Sequence, residues 1–282
     1  MKRIVTIQDI SCLGKCSLTV ALPIISALGV EAAVVPTAVL STHTMFREGY
    51  TFCDLTDEMA PIADHWTREG FTFDAVYTGY LGSQRQLALV ADYFDRFGKE
   101  DAVIVVDPVM ADNGKLYTGF TTEFAHEMAK LCGKADLVLP NITEACFMLD
   151  VPYRTDFSEE ELKELLVRLA DLGPRYAALT GVSLNAGRLG ALSYDKVTGE
   201  FFYYDRPYIS VSFHGTGDIF ASTTTGALAR GMSVNKALTL AVDFTVESML
   251  KTLAEPNYNT YGVNFEQAIP YLISRAEEIE QM

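Results

Sequence analysis

Ala102-Val103-Ile104-Val105-Val106-Asp107 is a run of five apolar residues, four of them β-branched, that ends on an acidic side chain. Such a run predicts a β-strand buried on both faces. Similar short runs recur along the chain, each followed by a segment long enough for a helix. They are Ile4 to Ile7, Ala32 to Val35, Ala75 to Thr78, Leu137 to Leu139 and Ala177 to Thr180. This alternation predicts a mostly parallel sheet covered by helices on both faces.

The segments between these runs carry apolar residues three and four positions apart, the period of an amphipathic surface helix. The predicted helices are Thr56 to Glu69, Gln84 to Phe97, Thr121 to Leu131 and Ser158 to Leu172. From Leu189 to Asp205 two alternating stretches flank a glycine-containing turn, which predicts an antiparallel hairpin at the sheet edge. Three further helices are predicted, at Asp218 to Ala229, Val234 to Leu253 and Phe265 to Glu280. No linker or repeat divides residues 1–282, so we predict one domain.

The charge balance and the apolar stretches exclude several classes of protein. The 282 residues carry 37 acidic and 22 basic side chains, a net charge of −15, which disfavours a nucleic-acid partner. The longest charge-free stretch, Cys16 to Val30, has 15 residues, fewer than the ~18 of a membrane span. No signal peptide follows the basic start, and an odd count of five cysteines argues against a disulfide framework. We therefore expect a cytoplasmic protein that binds neither nucleic acid nor membrane.

Polar side chains follow most of the predicted strands. They stand at Gln8-Asp9, Thr78-Gly79-Tyr80, Asp107-Pro108, Pro140-Asn141-Ile142-Thr143-Glu144 and Thr180-Gly181. In a parallel sheet, ligands bind beyond the carboxyl ends of the strands, so these positions form a candidate site. Taken singly, each of them is more simply explained as a turn or a helix cap.

The sharpest local motif is His214-Gly215-Thr216-Gly217-Asp218, which opens a predicted helix. Two glycines let backbone N–H groups approach an anion, and the helix adds the positive end of its dipole. The motif therefore predicts a phosphate or oxyanion site that contains a carboxylate, although Asp218 as a plain helix cap is an alternative. The dinucleotide fingerprint Gly-x-Gly-x-x-Gly does not follow the first strand, and no P-loop occurs, so a phosphate site must use this loop.

Six motifs in order along nearly the whole chain together resemble the ribokinase-like kinases and, within them, the pyridoxal/pyridoxamine kinases of vitamin B6 salvage. They are Ile7-Gln8, Ser41-Thr42-His43-Thr44, Thr78-Gly79-Tyr80-Leu81-Gly82, Asp107-Pro108-Val109-Met110, Pro140-Asn141-x-x-Glu144 and Gly215-Thr216-Gly217-Asp218. The resemblance implies a single-domain ribokinase-like three-layer α/β/α sandwich with a mostly parallel central sheet and an edge hairpin. It also implies ATP-dependent phosphorylation of the 5′-hydroxymethyl group of pyridoxal, pyridoxamine or pyridoxine.

The resemblance assigns the catalytic groups to the glycine motif. Asp218 is expected to be the general base, while the N–H groups of Gly215, Thr216, Gly217 and Asp218 stabilise the γ-phosphoryl oxygens. A carboxylate at a helix N-terminus has a lowered pKa, so we expect the charge of the bound triphosphate to restore its basicity. Five more residues resemble positions that bind ATP, two of them also the metal shell. They are Asp107, Tyr117, Asn141, Glu144 and Thr180, with Asp107 and Glu144 placed to act through Mg²⁺.

On the substrate side, His43, Thr44 and Tyr80 match positions that line the pyridine ring in the resembling kinases, next to Asp218. Asp9 departs from the family, because many B6 kinases carry serine there. Our hypothesis is that Asp9 accepts a charge-assisted hydrogen bond from a protonated pyridine nitrogen or from Lys15. An alternative stays open for His43, in which it is a structural histidine whose hydrogen bonds are made within the protein.

The implied cofactors are ATP and Mg²⁺, with a monovalent cation such as K⁺ as a further candidate, and the implied assembly is a homodimer. Residues 111–117, which contain Asn113-Gly114, are expected to close over the site and exclude water. Two alternatives stay open. One is a hydroxymethylpyrimidine kinase of the same fold, and the other is a non-catalytic protein that binds a vitamer or a nucleotide.

Overall fold

The computed structural model describes residues 1–44 and 49–282, and a nine-stranded sheet forms its centre. Its strands are β1 (Arg3–Ser11), β2 (Glu31–Leu40), β3 (Phe52–Asp54), β4 (Phe73–Thr78), β5 (Gly98–Val106), β8 (Leu137–Val138), β9 (Tyr176–Val182), β10 (Arg188–Asp195) and β11 (Glu200–Pro207). Two more strands, β6 (Ala111–Asp112) and β7 (Lys115–Leu116), pair with each other as a separate hairpin.

The strand order is β11-β10-β9-β8-β5-β4-β1-β2-β3. The six strands from β9 to β2 run parallel, while β3 on one edge and β10 with β11 on the other run antiparallel. The prediction of a mostly parallel sheet with an edge hairpin is therefore confirmed. β3 was not predicted, because three exposed residues are too few to show a period.

Nine α-helices of the described chain cover the sheet. They are α1 (Leu18–Ala27), α2 (Thr56–Glu69), α3 (Gln84–Phe97), α4 (Thr122–Cys132), α5 (Ile142–Met148), α6 (Glu159–Asp171), α7 (Thr216–Ala229), α8 (Val234–Leu253) and α9 (Ile269–Gln281). Apolar side chains of α2 to α6 pack on one face of the sheet and those of α1, α7 and α8 on the other, which makes three layers. α9 packs outside α1 and α8.

The helix from Phe265 to Glu280 that the sequence predicted is divided in two. A short 3-10 helix, Phe265–Ala268, precedes α9, and Pro270 lies in the first turn of α9. Proline suits a helix start because it lacks the N–H that a helix interior needs. Within the part of the chain described, no helix has both the length and the apolar character to cross a bilayer, and all five cysteines are free.

One buried ion cluster joins β11, α8 and α9. The Asp243 carboxylate is 1% exposed and accepts from Arg206 at 2.5 Å, Arg275 at 2.9 Å and the Tyr204 hydroxyl at 2.9 Å. Removing the buried carboxylate leaves two partly exposed guanidinium groups without their shared partner. We expect Asp243→Ala to lower the free energy of unfolding by about 2–3 kcal/mol, measured by urea denaturation, because solvent reaches both guanidinium groups.

The matched control for this prediction is the Arg230–Glu280 pair, with an N–O distance of 2.7 Å and both side chains partly exposed. Glu280→Ala should cost under about 1 kcal/mol, because solvent already screens that pair. Equal losses in the two variants would contradict a special contribution from the buried cluster.

Candidate active site

The carboxyl ends of the parallel strands meet at one edge of the sheet, beside the N-terminus of α7. The predicted site residues are delivered there by successive elements. Asp9 lies in β1, His43 and Thr44 follow β2, Tyr80 follows β4, Asp107 follows β5, Tyr117 follows β7, Asn141 and Glu144 start α5, Thr180 lies in β9, and Gly215 to Asp218 start α7. The sheet topology thus collects residues that are up to about two hundred positions apart.

The glycine loop takes a backbone conformation that only glycine adopts readily. Gly215 is the N-cap of α7 with φ +82°, and a Cβ on it would lie 2.2 Å from the carbonyl oxygen of Lys15. The first helical hydrogen bond of α7 joins the Ile219 N–H to the Gly215 carbonyl at 3.0 Å, so the N–H groups of residues 216–218 precede it. A Cβ on Gly217 would meet open space, so an anion can approach these N–H groups.

Asp218 lies in the first turn of α7 and is half-buried. The pKa of its carboxyl is raised to about 7, mainly by burial; the backbone of Ser17 lowers it and the nearby charge of Asp9 raises it, both by less than burial does. The expectation that the helix dipole leaves a lowered pKa until nucleotide binds is therefore wrong, since desolvation outweighs the dipole. A carboxyl that titrates near neutrality is well matched to general-base chemistry.

A second acidic cluster lies beside Asp218. Glu144 is 3% exposed, and burial raises its pKa to about 8 although backbone N–H groups hydrogen-bond to it. Burial, then Glu144 and Asp218, raise the pKa of Asp107 well above its usual range. Burial, followed by the charges of Glu144, Asp112, Asp107 and Asp218, raises the pKa of the Tyr117 phenol. Glu144 is therefore a buried residue, and the crowding of acidic groups favours a cation here.

Asn141 and Glu144 also hold the start of α5 together. The Asn141 side chain accepts from the Glu144 N–H at 3.0 Å, and Glu144 Oε2 accepts from the Asn141 N–H at 2.9 Å, a reciprocal capping box. Glu144 Oε1 accepts from the Met110 N–H at 3.2 Å, and Asn141 Nδ2 donates to the Ala111 carbonyl at 2.8 Å. These residues therefore have a structural role in addition to any role toward a ligand.

The segment predicted to close over the site is the β6–β7 hairpin. Its turn residues Asn113 and Gly114 have φ values of 50° and 75°, as a two-residue hairpin turn requires. The Gly114 N–H donates to Thr143 Oγ1 at 3.1 Å, and the Tyr117 N–H donates to the Met110 carbonyl at 2.9 Å, so both ends of the hairpin are fixed. Closure of this hairpin over a ligand stays a prediction.

Asp9 is buried on the substrate side of the site, and its two oxygens accept from serine hydroxyls. Ser11 donates at 2.9 Å and Ser17 at 2.5 Å, while burial raises the Asp9 pKa. Of the two donors suggested for Asp9, Lys15 is wrong, while the pyridine nitrogen stays a prediction. Lys15 Nζ instead donates to Asn264 Oδ1 and Glu266 Oε2, both at 2.8 Å. The two oxygens of Asp9 already accept from the Ser11 and Ser17 hydroxyls.

The aromatic residues of the substrate side are held by neighbouring loops. His43 Nε2 lies 2.9 Å from the Tyr261 carbonyl oxygen, and its ring centroid lies 4.9 Å from that of His214. The Tyr80 ring packs 5.6 Å from Phe120, and burial, with the nearby charge of Asp9, raises its pKa to about 12. Thr44 is half-buried next to His43.

Sequence reasoning missed two residues of the site, Ser17 and Tyr261. Tyr261 lies in the loop after α8, where no motif or strand end marks it. Ser17 stands directly before α1, where a serine is ordinarily read as a helix cap. Its position only eight residues after Asp9 was the available signal.

Comparison with known proteins gives consistent results. A family model described as phosphomethylpyrimidine kinase matches residues 21–262. A Bacteroides thetaiotaomicron crystal structure, provisionally assigned as a phosphomethylpyrimidine kinase and determined with pyridoxal, is 40% identical, with a TM-score of 0.91 over 96% of this chain and 95% of that one. The pyridoxal kinase of Lactobacillus plantarum is 29% identical, with a TM-score of 0.90 over 99% of both chains.

Among curated proteins, the hydroxymethylpyrimidine/phosphomethylpyrimidine kinase of Bacillus subtilis is 28% identical over 64% of this chain and 65% of its own length. The matches to curated relatives from budding and fission yeast span 78% and 57% of those proteins. The resemblance seen in the motifs thus extends to the fold and to most of the chain.

Proposed function

Because this chain belongs to the phosphomethylpyrimidine kinase family, we propose that it is a pyridoxal kinase-like enzyme that transfers the γ-phosphoryl group of ATP to the 5′-hydroxymethyl group of a B6 vitamer. The observation that carries the proposal is the Asp218 carboxyl, titrating near neutrality beside three N–H groups that precede the first helical bond of α7. A base and an anion site in one loop are what phosphoryl transfer to an alcohol requires.

Different residues of the chain have different roles in the proposed reaction. Asp218 accepts the proton of the substrate hydroxyl as the hydroxyl oxygen attacks the γ-phosphorus, the bond from that phosphorus to the β–γ bridging oxygen breaks, and ADP leaves. The N–H groups of residues 216–218 stabilise the charge that spreads over the equatorial phosphoryl oxygens. Thr180 and Tyr117 are proposed to contact the nucleotide, and His43, Thr44 and Tyr80 the pyridine ring. Position and electrostatics therefore supply most of the catalysis.

Mg²⁺ fits the acidic cluster of Asp107 and Glu144. The donors are oxygen atoms, as Mg²⁺ prefers, and each carboxyl already has a raised pKa that a cation would lower. In residues 1–44 and 49–282 no set of three His, Cys, Asp or Glu side chains is arranged to bind a metal alone. Water and phosphate oxygens would complete the shell, and the ion would neutralise triphosphate charge.

The substrate assignment is tested by measuring ADP release with pyridoxal, pyridoxamine, pyridoxine and hydroxymethylpyrimidine, each with and without Mg²⁺. We expect turnover with at least one B6 vitamer and loss of turnover when the metal is chelated. Turnover with hydroxymethylpyrimidine alone would establish the alternative acceptor, which the family model and the Bacillus relative favour. No ADP release above background with any substrate would favour the non-catalytic alternative.

The proposed contact between Asp9 and a protonated pyridine nitrogen makes a separate prediction. Asp9→Asn keeps the shape of the side chain but removes the charge, so the hydrogen bond loses about half its strength. We expect KM for the preferred vitamer to rise roughly tenfold, with KM for ATP little changed, in steady-state assays. An Asp9→Ser variant with wild-type KM for all three vitamers would contradict the contact.

We further propose a homodimer in the cytoplasm and a requirement for a monovalent cation such as K⁺, on the basis of the family resemblance. Light scattering after gel filtration measures the mass of the assembly, and comparison of rates in K⁺ and Na⁺ buffers tests the cation requirement. A monomeric mass across the micromolar range, or equal rates in both salts, would contradict these two proposals respectively.

A further inference from the structure

Gln86 is a buried amide that joins three separate parts of the fold to its own helix. It lies in the first turn of α3 and is 2% exposed. Its Nε2 donates to the Thr37 carbonyl at 3.1 Å and to Thr56 Oγ1 at 2.8 Å, while its Oε1 accepts from the Gly82 N–H at 2.7 Å. The amide therefore connects α3 with β2, with the start of α2 and with the loop that follows β4.

Strand β2 carries a bulge at the point where Gln86 binds it. In the ladder of β1 with β2, two residues of β2, Thr37 and Ala38, stand opposite Asp9 alone. Bulges of this kind interrupt the ladder and recur next to active sites, where they redirect side chains. The Thr37 carbonyl accepts from Gln86 and also from the Leu55 N–H at 3.0 Å. Gln86 thus holds the backbone of β2 at the position that faces Asp9.

The same amide holds the loop that carries Tyr80. A Cβ on Gly82 would lie 3.6 Å from the Tyr80 ring and 3.7 Å from its hydroxyl oxygen, so the Gly82 backbone lies against that side chain. Gln86 fixes Gly82 through its N–H. Thr37 Oγ1 in addition donates to the Tyr80 carbonyl at 3.4 Å. The position of Tyr80 relative to the bulge in β2 is therefore set by Gln86 together with Thr37.

We propose that Gln86 is a positioning residue that sets the affinity for the phosphoryl acceptor, because it fixes the Tyr80 ring relative to Asp9. These two residues are proposed to contact the pyridine ring, and Gln86 acts on them through Thr37 and Gly82. This inference rests on the proposed function and deepens it with a residue that acts on acceptor binding. The three side-chain partners of Gln86 lie in β2, α2 and the loop after β4, away from the glycine loop, so ATP binding and turnover should not depend on it.

Two substitutions of Gln86 test the proposal. Gln86→Glu can still accept from the Gly82 N–H but, when ionised, cannot donate to the Thr37 carbonyl, and Gln86→Met has a similar length with no amide. We expect each variant to raise KM for the preferred vitamer about tenfold, the effect of one lost buried hydrogen bond. In the same steady-state assays kcat and KM for ATP should change less than about twofold.

Tyr93→Phe is the matched control, because it removes a buried hydrogen bond between the same two helices. Tyr93 lies in α3, is fully buried, and its hydroxyl donates to the Met59 carbonyl of α2 at 2.6 Å. That hydrogen bond does not involve the loop after β4, so the variant should melt at a lower temperature with KM for the vitamer unchanged. If the Gln86 variants lose thermal stability in the same way and also keep the wild-type KM, Gln86 is merely structural and the proposal is overturned.

Thr37→Val is a milder variant, because valine has the shape of threonine without its hydroxyl. It removes the contact with the Tyr80 carbonyl and leaves the Thr37 carbonyl to Gln86. We expect KM for the vitamer to rise about two- to threefold, with kcat unchanged. A wild-type KM in Thr37→Val would count against the proposal even where the Gln86 variants fail to fold.

Crystal structures of Gln86→Met and of the wild type in the same crystal form give a readout that does not depend on turnover. We expect residues 79–82 of the variant to shift relative to β2, or to have raised B-factors, with Tyr80 displaced. An unchanged, equally ordered loop would overturn the inference and leave the proposed function standing. A displaced loop in the variant, together with no turnover of any B6 vitamer by the wild type, would overturn the proposed function and leave the positioning of Tyr80 by Gln86 standing.

Discussion

Asp218→Asn is expected to lower kcat by about 10²- to 10⁴-fold, because the amide cannot accept the proton of the substrate hydroxyl. The substitution keeps the size of the side chain and its place in the first turn of α7, so the N–H groups of the loop stay in position. ATP affinity, measured by calorimetry, should therefore remain close to wild type. A variant that retains a tenth of the wild-type rate would show that Asp218 is not the base.

The control for this substitution is the same chemical change at an exposed carboxylate. Asp95 lies near the end of α3, where its Oδ2 is 2.9 Å from Lys134 Nζ on the exposed surface. Asp95→Asn should leave kcat and KM unchanged. A similar loss of rate in both variants would point to a general effect of charge on the fold.

The same residue sets the expected pH dependence. Asp218 must be deprotonated to act as a base, and its pKa is raised to about 7. The value of kcat/KM, which reports the free enzyme, should therefore fall as the pH decreases through about 7. A profile that stays flat down to about pH 5 would show that the base titrates at the value of an ordinary aspartate.

Gly215→Ala is expected to produce the second largest loss, about 100-fold in kcat/KM. An alanine at φ +82° is strained, and its Cβ would lie 2.2 Å from the Lys15 carbonyl oxygen, a backbone atom that cannot move aside cheaply. The loop must shift, and with it both the N–H groups for the phosphoryl oxygens and the Asp218 carboxyl. Steady-state kinetics measure the loss, and circular dichroism checks that the variant folds.

Gly217→Ala separates the shape of the loop from the space above it. A Cβ on Gly217 meets no atom within 4 Å, so the variant should fold and melt like wild type. The space that this methyl group would enter is where we propose that phosphate binds, so KM for ATP should rise while the pH profile is unchanged. If Gly215→Ala retains wild-type kcat/KM, the conformation of the loop is not important for catalysis.

The sequence predicted the parallel sheet and most of its helices because both depend on local periodicity. The bounds of α2, α3 and α8 agree with the prediction to the residue. The six motifs lie at one edge of the sheet, because most of them stand at the end of a strand or just after it and the last one opens α7. Short elements such as β3 and the β6–β7 hairpin have too few residues to show a period.

What the sequence could not provide are contacts between distant segments. The pairing of Lys15 with Glu266 crosses the whole chain, and the tertiary packing that places their loops together leaves no local pattern. The raised pKa of Asp218 arises from burial, which outweighs the helix dipole that the motif alone suggested. Ser17 shows the same limit, because its φ of 56° cannot be recognised from a serine before a helix.

The crowding of Asp107, Glu144 and Asp218 has a consequence for the resting molecule. Ionised carboxylates crowded at this mostly buried site repel one another and lower the stability of the fold, and the cation proposed to accompany ATP would reduce that cost. On this proposal, the charges that favour catalysis at this edge of the sheet are the same charges that lower the stability of the protein to heat.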